Sequence, residues 1–191
     1  FGVYGARPSH PELLDHLAHR FMDGNWSIKK LIRAITLSRS YQLDSICRDS
    51  RLLEADPANI LVGRHTRRPL DAESLRDRIL QASGALNKKR GGSSFFPALN
   101  GEVVAGASKP GRGWGWSRAE ERNRRSIYAF VKRTMVYPFF EIFDYSNTEG
   151  SLGSRPETTV APQALLLLNS ELVSDNASLI CLLYTSPSPR D

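Results

Sequence analysis

Residues 1–42, FGVYGARPSHPELLDHLAHRFMDGNWSIKKLIRAITLSRSYQ, hold two helix start-and-stop codes around a Gly-Asn-Trp-Ser corner. Ser9-His10-Pro11-Glu12 has the form of a capping box, in which the Ser9 hydroxyl accepts from the Glu12 N–H and the Glu12 carboxylate reaches back to Ser9. Leu13, Leu14, Leu17 and Phe21 follow on one helical face, and Gly24 offers a left-handed stop. This pattern predicts a helix over about 10–23. Ser27 then caps a second helix, with Trp26 and Leu31 placed as a hydrophobic staple and Ile28, Leu31, Ile32 and Ile35 as its apolar stripe. Lys29, Lys30 and Arg33 fall mostly on the opposite face. So short a connection predicts a helical hairpin.

Outward from the hairpin, residues 44–66 are polar and irregular, with Ala55-Asp56-Pro57-Ala58-Asn59 as a turn. A third helix starts at Asp71, with Leu75, Ile79, Ala82 and Leu86 as its stripe and Lys88, Lys89 and Arg90 near its end, where the helix dipole favours cations. Glycine, serine and proline dominate residues 91–118, which reads as a functional loop, an insertion or disorder. SIYAFVKR, residues 126–133, is enriched in β-branched and aromatic residues and predicts a strand. A short apolar helical turn follows Pro138, and Pro162 opens a last leucine-rich helix. Leu165 to Leu168 are apolar all round, which predicts burial on more than one side. The fold class read from this pattern is mainly α: a helical domain with a minor β element and a long Gly/Ser/Pro-rich loop. In this reading residues 1–180 form one truncated domain, with Leu17, Ile32 and Leu168 inside it.

The chain has 191 residues, enough apolar content for a core, and a formal net charge of +6. That charge permits attraction to nucleic acid, acidic glycan or anionic membrane without choosing among them. The chain opens in mid-motif and reads as an internal piece of a longer protein. CLLYTSPSPRD, residues 181–191, is what translating a transposase adapter from sequencing-library preparation gives, so evolved sequence is expected to stop near Ile180. Cys47 is then the one remaining cysteine. No intrachain disulfide and no CxxCH haem-attachment motif is possible here.

Six blocks in order, FGVYGARPSHPELLD, WSIKKLIRAITLSRSYQ, ADPAN, RRPLDAESLRDRIL, RRSIYAFVKR and TTVAPQALLLLNS, resemble domain-of-unknown-function family 1553. That family is the C-terminal domain of planctomycete-type, cytochrome-c-associated multidomain proteins. The resemblance covers nearly all of Phe1 to Ser178 and is weakest between Gly91 and Glu121. It implies an exported parent, periplasmic or secreted, with a family 1549 domain upstream and often a haem-binding cytochrome c module before that. It further implies a part in polysaccharide use or extracytoplasmic electron transfer. Haem c would lie in the missing part of the parent, and no cofactor is expected in this fragment.

Candidate chemistry is sparse. His16 and His19 stand at i, i+3, with His10 and Asp15 nearby, as a partial metal site or as surface histidines. Arg67, Arg68, Asp71, Arg76 and Asp77 bracket a helix start, as salt bridges and caps or as an anion site. Arg122, Arg124 and Arg125 precede the expected strand and Lys132 and Arg133 close it, with Tyr128 and Phe130 between. That interleaving suits a polyanion, although core packing is the better explanation of the aromatics. Glu141, Asp144 and Glu157 are the carboxylates a glycosidase would need, although sequence separation says nothing of their spacing. Ser38, Ser40, Ser126 and Cys47 lack the context of a nucleophile. Trp114 and Trp116 in GRGWGW either stack on sugar rings or fold back on the helices.

The expected ligand contacts are therefore Trp114, Trp116, Arg124 and Arg125, with no catalytic or metal residue. The expected function is an accessory or interaction domain that docks its upstream domain, an acidic protein or an anionic glycan. A polysaccharide-acting enzyme is the first alternative and a nucleic-acid-binding module the second. No membrane span is expected.

Overall fold

The structure is a computed structural model that describes residues 4–99, 101, 113–133, 135–146, 148 and 150–185. Part of the loop expected at 91–118, and residues 186–191 of the expected adapter tail, lie outside the described residues. The chain divides into two compact units, Phe1–Arg68 and Pro69–Asp191. The expected burial of Ile32 and Leu168 is not found, since they are 54% and 79% exposed. Leu17 is half-buried.

In the first unit α1 (Pro11–Asp23) and α2 (Ile28–Thr36) pack as the predicted hairpin, followed by the short α3 (Ser50–Ala55). The capping box does not form. His10 is the N-cap without a side-chain cap bond, and the Ser9 hydroxyl lies 3.0 Å from His10 Nδ1. Pro11, with its φ preset for a first helical position, starts the helix one residue too late for Ser9 to reach Glu12. Gly24 is not left-handed either, at φ −73°. The left-handed residues are Asn25 and Trp26, each at φ 56°. What Gly24 supplies is clearance, because a Cβ there would stand 3.0 Å from the Arg20 carbonyl oxygen. Trp26 meets Phe21 edge-on at 5.3 Å, which ties the corner back to α1. Ser27 caps α2 as predicted, its hydroxyl accepting from the Lys30 N–H at 3.4 Å. The predicted turn at residues 55–59 is held by the Asp56 carboxylate, which accepts from the Ile60 and Leu61 N–H groups at 2.8 and 2.7 Å. The Leu61 N–H is the chief reason that this carboxyl sits below the usual range.

The second unit is built on α4 (Ala72–Ala82), which packs against the 3-10 turn Ser126–Tyr128, α6 (Pro138–Ile142) and α8 (Glu171–Thr185). α5 (Ala119–Arg122) leads into the 3-10 turn, and α7 (Ala161–Asn169) bridges α6 and α8. The core is Ala72, Phe95, Ala129, Phe139 and Phe140, with Leu75, Ile79, Leu166 and Leu172 packed on it. On α4 the fully buried line is Ala72, Arg76 and Leu80, at i, i+4 and i+8, beside the predicted Leu75 and Ile79. Arg155 clamps the outer side of this helix through a two-pronged bond to Glu73 at 2.6 and 2.8 Å.

The predicted minor β element is absent: among the described residues there is no strand, only three isolated bridges. The Asp77 carboxylate takes both the N–H and the hydroxyl of Ser126 at 2.7 Å, and this side-chain capture bends residues 126–128 into a 3-10 turn. A single parallel bridge, Phe95 to Ala129, remains of the ladder. Leu165 and Leu168 are 57% and 79% exposed while Leu166 and Leu167 pack on the core. A surface helix of this length turns only one face inward, so four consecutive leucines cannot all be covered. No single helix among the described residues is long and apolar enough to cross a membrane.

Candidate functional site

Two of the expected contact residues are structural. Arg124, 1% exposed, donates through Nη1 to the Ser93 carbonyl at 2.9 Å and to the Glu121 carboxylate at 3.3 Å, and through Nη2 to the Gly91 carbonyl. Its guanidinium lies 4.2 Å over the Tyr128 ring. Arg124 thus holds the start of the glycine-rich loop and presents no charge to solvent. Trp114 is half-buried, meets Phe96 and Phe130 at 6.1 and 5.6 Å, and donates from Nε1 to the Pro97 carbonyl at 3.0 Å. Tyr128 packs on the core as expected, whereas Phe130 and Trp114 meet Phe96 in an aromatic cluster.

The other two, Trp116 and Arg125, are exposed. Gly115 lies so close under the Phe96 ring that a Cβ would come within 2.5 Å of it, and the Ser117 hydroxyl accepts from the Phe96 N–H at 3.0 Å. This short segment is pinned on both sides of Trp116, leaving that indole 76% exposed. Trp114→Ala should lower the unfolding free energy by about 2–3 kcal/mol, and Trp116→Ala should change it by no more than about 0.5 kcal/mol. Urea melts of the two variants check this, and equal losses would refute the division of roles. Arg125 reaches Asp77 with Nε at 3.7 Å.

Arg76, read in the sequence as part of a salt-bridged or anion-binding helix start, lies 3.7 Å from Asp77 and at the centre of a buried hydrogen-bond network. This side chain, 3% exposed, donates through Nη1 to the Arg124 carbonyl at 3.0 Å and the Ser126 hydroxyl at 3.1 Å, and through Nη2 to the Arg122 carbonyl. Burial pulls its pKa down, with Tyr137 and Asp77 acting against that. Two of its acceptors are carbonyls of residues expected to form a basic surface, so segment 122–126 wraps an arginine, while Arg125 and Arg133 of that expected surface are exposed. The available signal was Arg76 standing four residues from both Ala72 and Leu80, inside what became the buried line of α4.

Beside Arg76 opens a cavity of about 530 Å³, whose polar lining includes Arg122, Tyr137, Glu171 and Asp175. The Arg122 guanidinium donates to no group among the described residues, and its Nε is buried without an acceptor. Burial pushes the Tyr137 hydroxyl pKa up, against the pull of Arg76 and Arg122, and Glu171 raises it further.

The remaining candidates do not assemble. Among the described residues no three His, Cys, Asp or Glu side chains are placed to hold a metal ion, and His16 and His19 are exposed. Asp144 uses its carboxylate on Thr158, taking its N–H at 2.7 Å and its hydroxyl at 2.9 Å, while Glu141 and Glu157 are exposed. Asp71 is the N-cap of α4 but makes no side-chain cap bond, and Arg67 donates to the Ser45 hydroxyl at 3.0 Å. Cys47 is half-buried and donates to the Asp49 carbonyl at 3.5 Å.

Residues 1–181 match the family described as PSD1, protein of unknown function (DUF1553). The chain belongs to that family. Residues 182–191 of this DUF1553 chain lie outside the matched span. No curated protein and no solved structure matches it.

Proposed function

We propose that this DUF1553 chain is an interaction module whose helical hairpin docks against a neighbouring domain of its parent protein. One observation carries the reading: among the described residues of the first unit none is buried. Leu13, Leu14, Ile28, Ile32 and Ile35 of the hairpin are between 38% and 64% exposed. Apolar stripes set by well-formed helices and left in water mark a contact surface. The identity of that neighbour as a family 1549 domain, the export of the parent and its haem c module rest on the family resemblance alone.

Amide hydrogen exchange over residues 11–36 tests the reading, compared between the chain alone and the parent carrying its upstream domain. The parent should exchange at least tenfold more slowly there, and Ile32→Asp should restore the faster rate. Equal rates in the two proteins, or rates in the chain alone that fall with concentration through self-association, would overturn it.

A second partner, an anionic glycan, is supported by Trp116 presented on a pinned segment in a chain of net charge +6. Retention on alginate beads should then be lost in Trp116→Ala and weakened in Arg125→Ala. Retention equal to that of the unaltered chain would remove the glycan reading and leave the hairpin reading standing.

A further inference from the structure

Arg122 is an unusual arginine. It is half-buried in the wall of a cavity, its carbonyl is engaged by Arg76, and its guanidinium donates to no group among the described residues. The Nε of Arg124, like that of Arg122, is buried without an acceptor, but Arg124 and Arg76 each direct both Nη1 and Nη2 at carbonyl, hydroxyl or carboxylate oxygens, which Arg122 does not. The Arg122 Nε, withdrawn from water without an acceptor, is unfavourably placed, and an anion brought to the cavity offsets that cost. The Tyr137 hydroxyl stands in the same electrostatic neighbourhood, since Arg76, Arg122 and Glu171 all act on its ionisation. Like any tyrosine hydroxyl it is protonated at neutral pH and so a donor, and burial raises its pKa further.

The rest of the lining decides which anion. Leu99, Phe139, Leu166 and Leu179 give the cavity an apolar side. Glu171 and Asp175, one turn apart on α8 and both exposed, add two negative charges to the lining. A ligand carrying several negative charges meets those carboxylates, whereas one carrying a single charge beside Arg122 and an uncharged body does not. At about 530 Å³ the space falls within the usual range for small organic ligands.

We propose that this cavity binds a small organic monocarboxylate, its carboxylate on the Arg122 guanidinium and the Tyr137 hydroxyl and its hydrocarbon body against Leu99, Phe139 and Leu166. The site goes beyond the docking reading: every residue it uses belongs to the second unit, and the hairpin belongs to the first.

Calorimetric titration of the full chain with hexanoate, hexanamide and citrate tests this. Hexanoate should bind at least about tenfold more tightly than hexanamide, the step expected for one charge-assisted hydrogen-bonded pair. Arg122→Gln should remove that preference. Tyr137→Phe, which deletes a single oxygen, should weaken hexanoate about fivefold while leaving hexanamide unchanged. Citrate should fail to bind the unaltered chain and gain affinity in the Glu171→Gln, Asp175→Asn double variant. Hexanamide binding as tightly as hexanoate, no heat with either probe at millimolar concentration, or hexanoate affinity unaffected by both Arg122→Gln and Tyr137→Phe would each overturn the proposal.

Discussion

Arg76→Met lowers the unfolding free energy of the second unit by about 3–5 kcal/mol. Burying a charge is costly, so replacing a complete buried ionic network by apolar groups is often neutral. Here only the donor is removed. The Arg122 and Arg124 carbonyls and the Ser126 hydroxyl keep their places with no hydrogen to accept, and each such buried acceptor costs about 1–3 kcal/mol. Methionine fills much of the volume but cannot supply the fork, and it also loses the guanidinium 5.2 Å over the Phe95 ring. Lysine retains the charge yet offers a single point of donation, so Arg76→Lys should recover less than half of the loss. Urea unfolding followed by near-ultraviolet circular dichroism is the check. A loss below about 1 kcal/mol for Arg76→Met would show that water replaces the arginine, and would refute its role as the pin of the 122–126 segment.

Phe140→Ala should cost about the same, 3–5 kcal/mol. The ring is 2% exposed, stacks on Tyr145 at 5.3 Å and meets Tyr137 edge-on at 5.2 Å. Its removal leaves a cavity between two aromatics that the backbone holds apart, since the Tyr145 N–H donates to the Phe140 carbonyl at 3.0 Å. Phe140→Leu keeps most of the volume and should lose less than about 2 kcal/mol. Ile32→Ala in α2 is the control: with that side chain 54% exposed, little transfer free energy is at stake and the change should stay within about 1 kcal/mol. Equal losses for Phe140→Ala and Ile32→Ala in the same urea melts would mean that the hairpin stripe is covered after all.

The parts legible in the sequence are those settled by neighbours along the chain. Ser27 caps α2 with its hydroxyl, and Pro138 and Pro162 open α6 and α7 through their fixed φ, each acting within one helical turn, while Asp71 stands at the start of α4 without a cap bond. The misreadings share a cause. SIYAFVKR has the composition of a strand, yet Asp77, 49 residues from Ser126, takes the hydrogen bonds that would have started a ladder. Four leucines in a row say nothing of which two will meet the core. Arg124 and Trp114 looked like surface chemistry because their acceptors, the Ser93 and Pro97 carbonyls, are backbone atoms that no sequence pattern marks.

The same contrast holds for the candidate site. Arg122, Tyr137 and Glu171 lie on three separate stretches, and nothing in their spacing hints at a common cavity. Caps, prolines and helical periodicity act over a few residues, so the mainly helical character and the hairpin with its corner follow from residue order alone, as does the family. Which arginines are interior, the bend of the expected strand into a turn, and the one guanidinium left facing a cavity depend on packing between distant segments. Burial and hydrogen-bond satisfaction are settled between residues tens of positions apart, and a charged side chain reads the same in sequence whether water or a backbone carbonyl surrounds it.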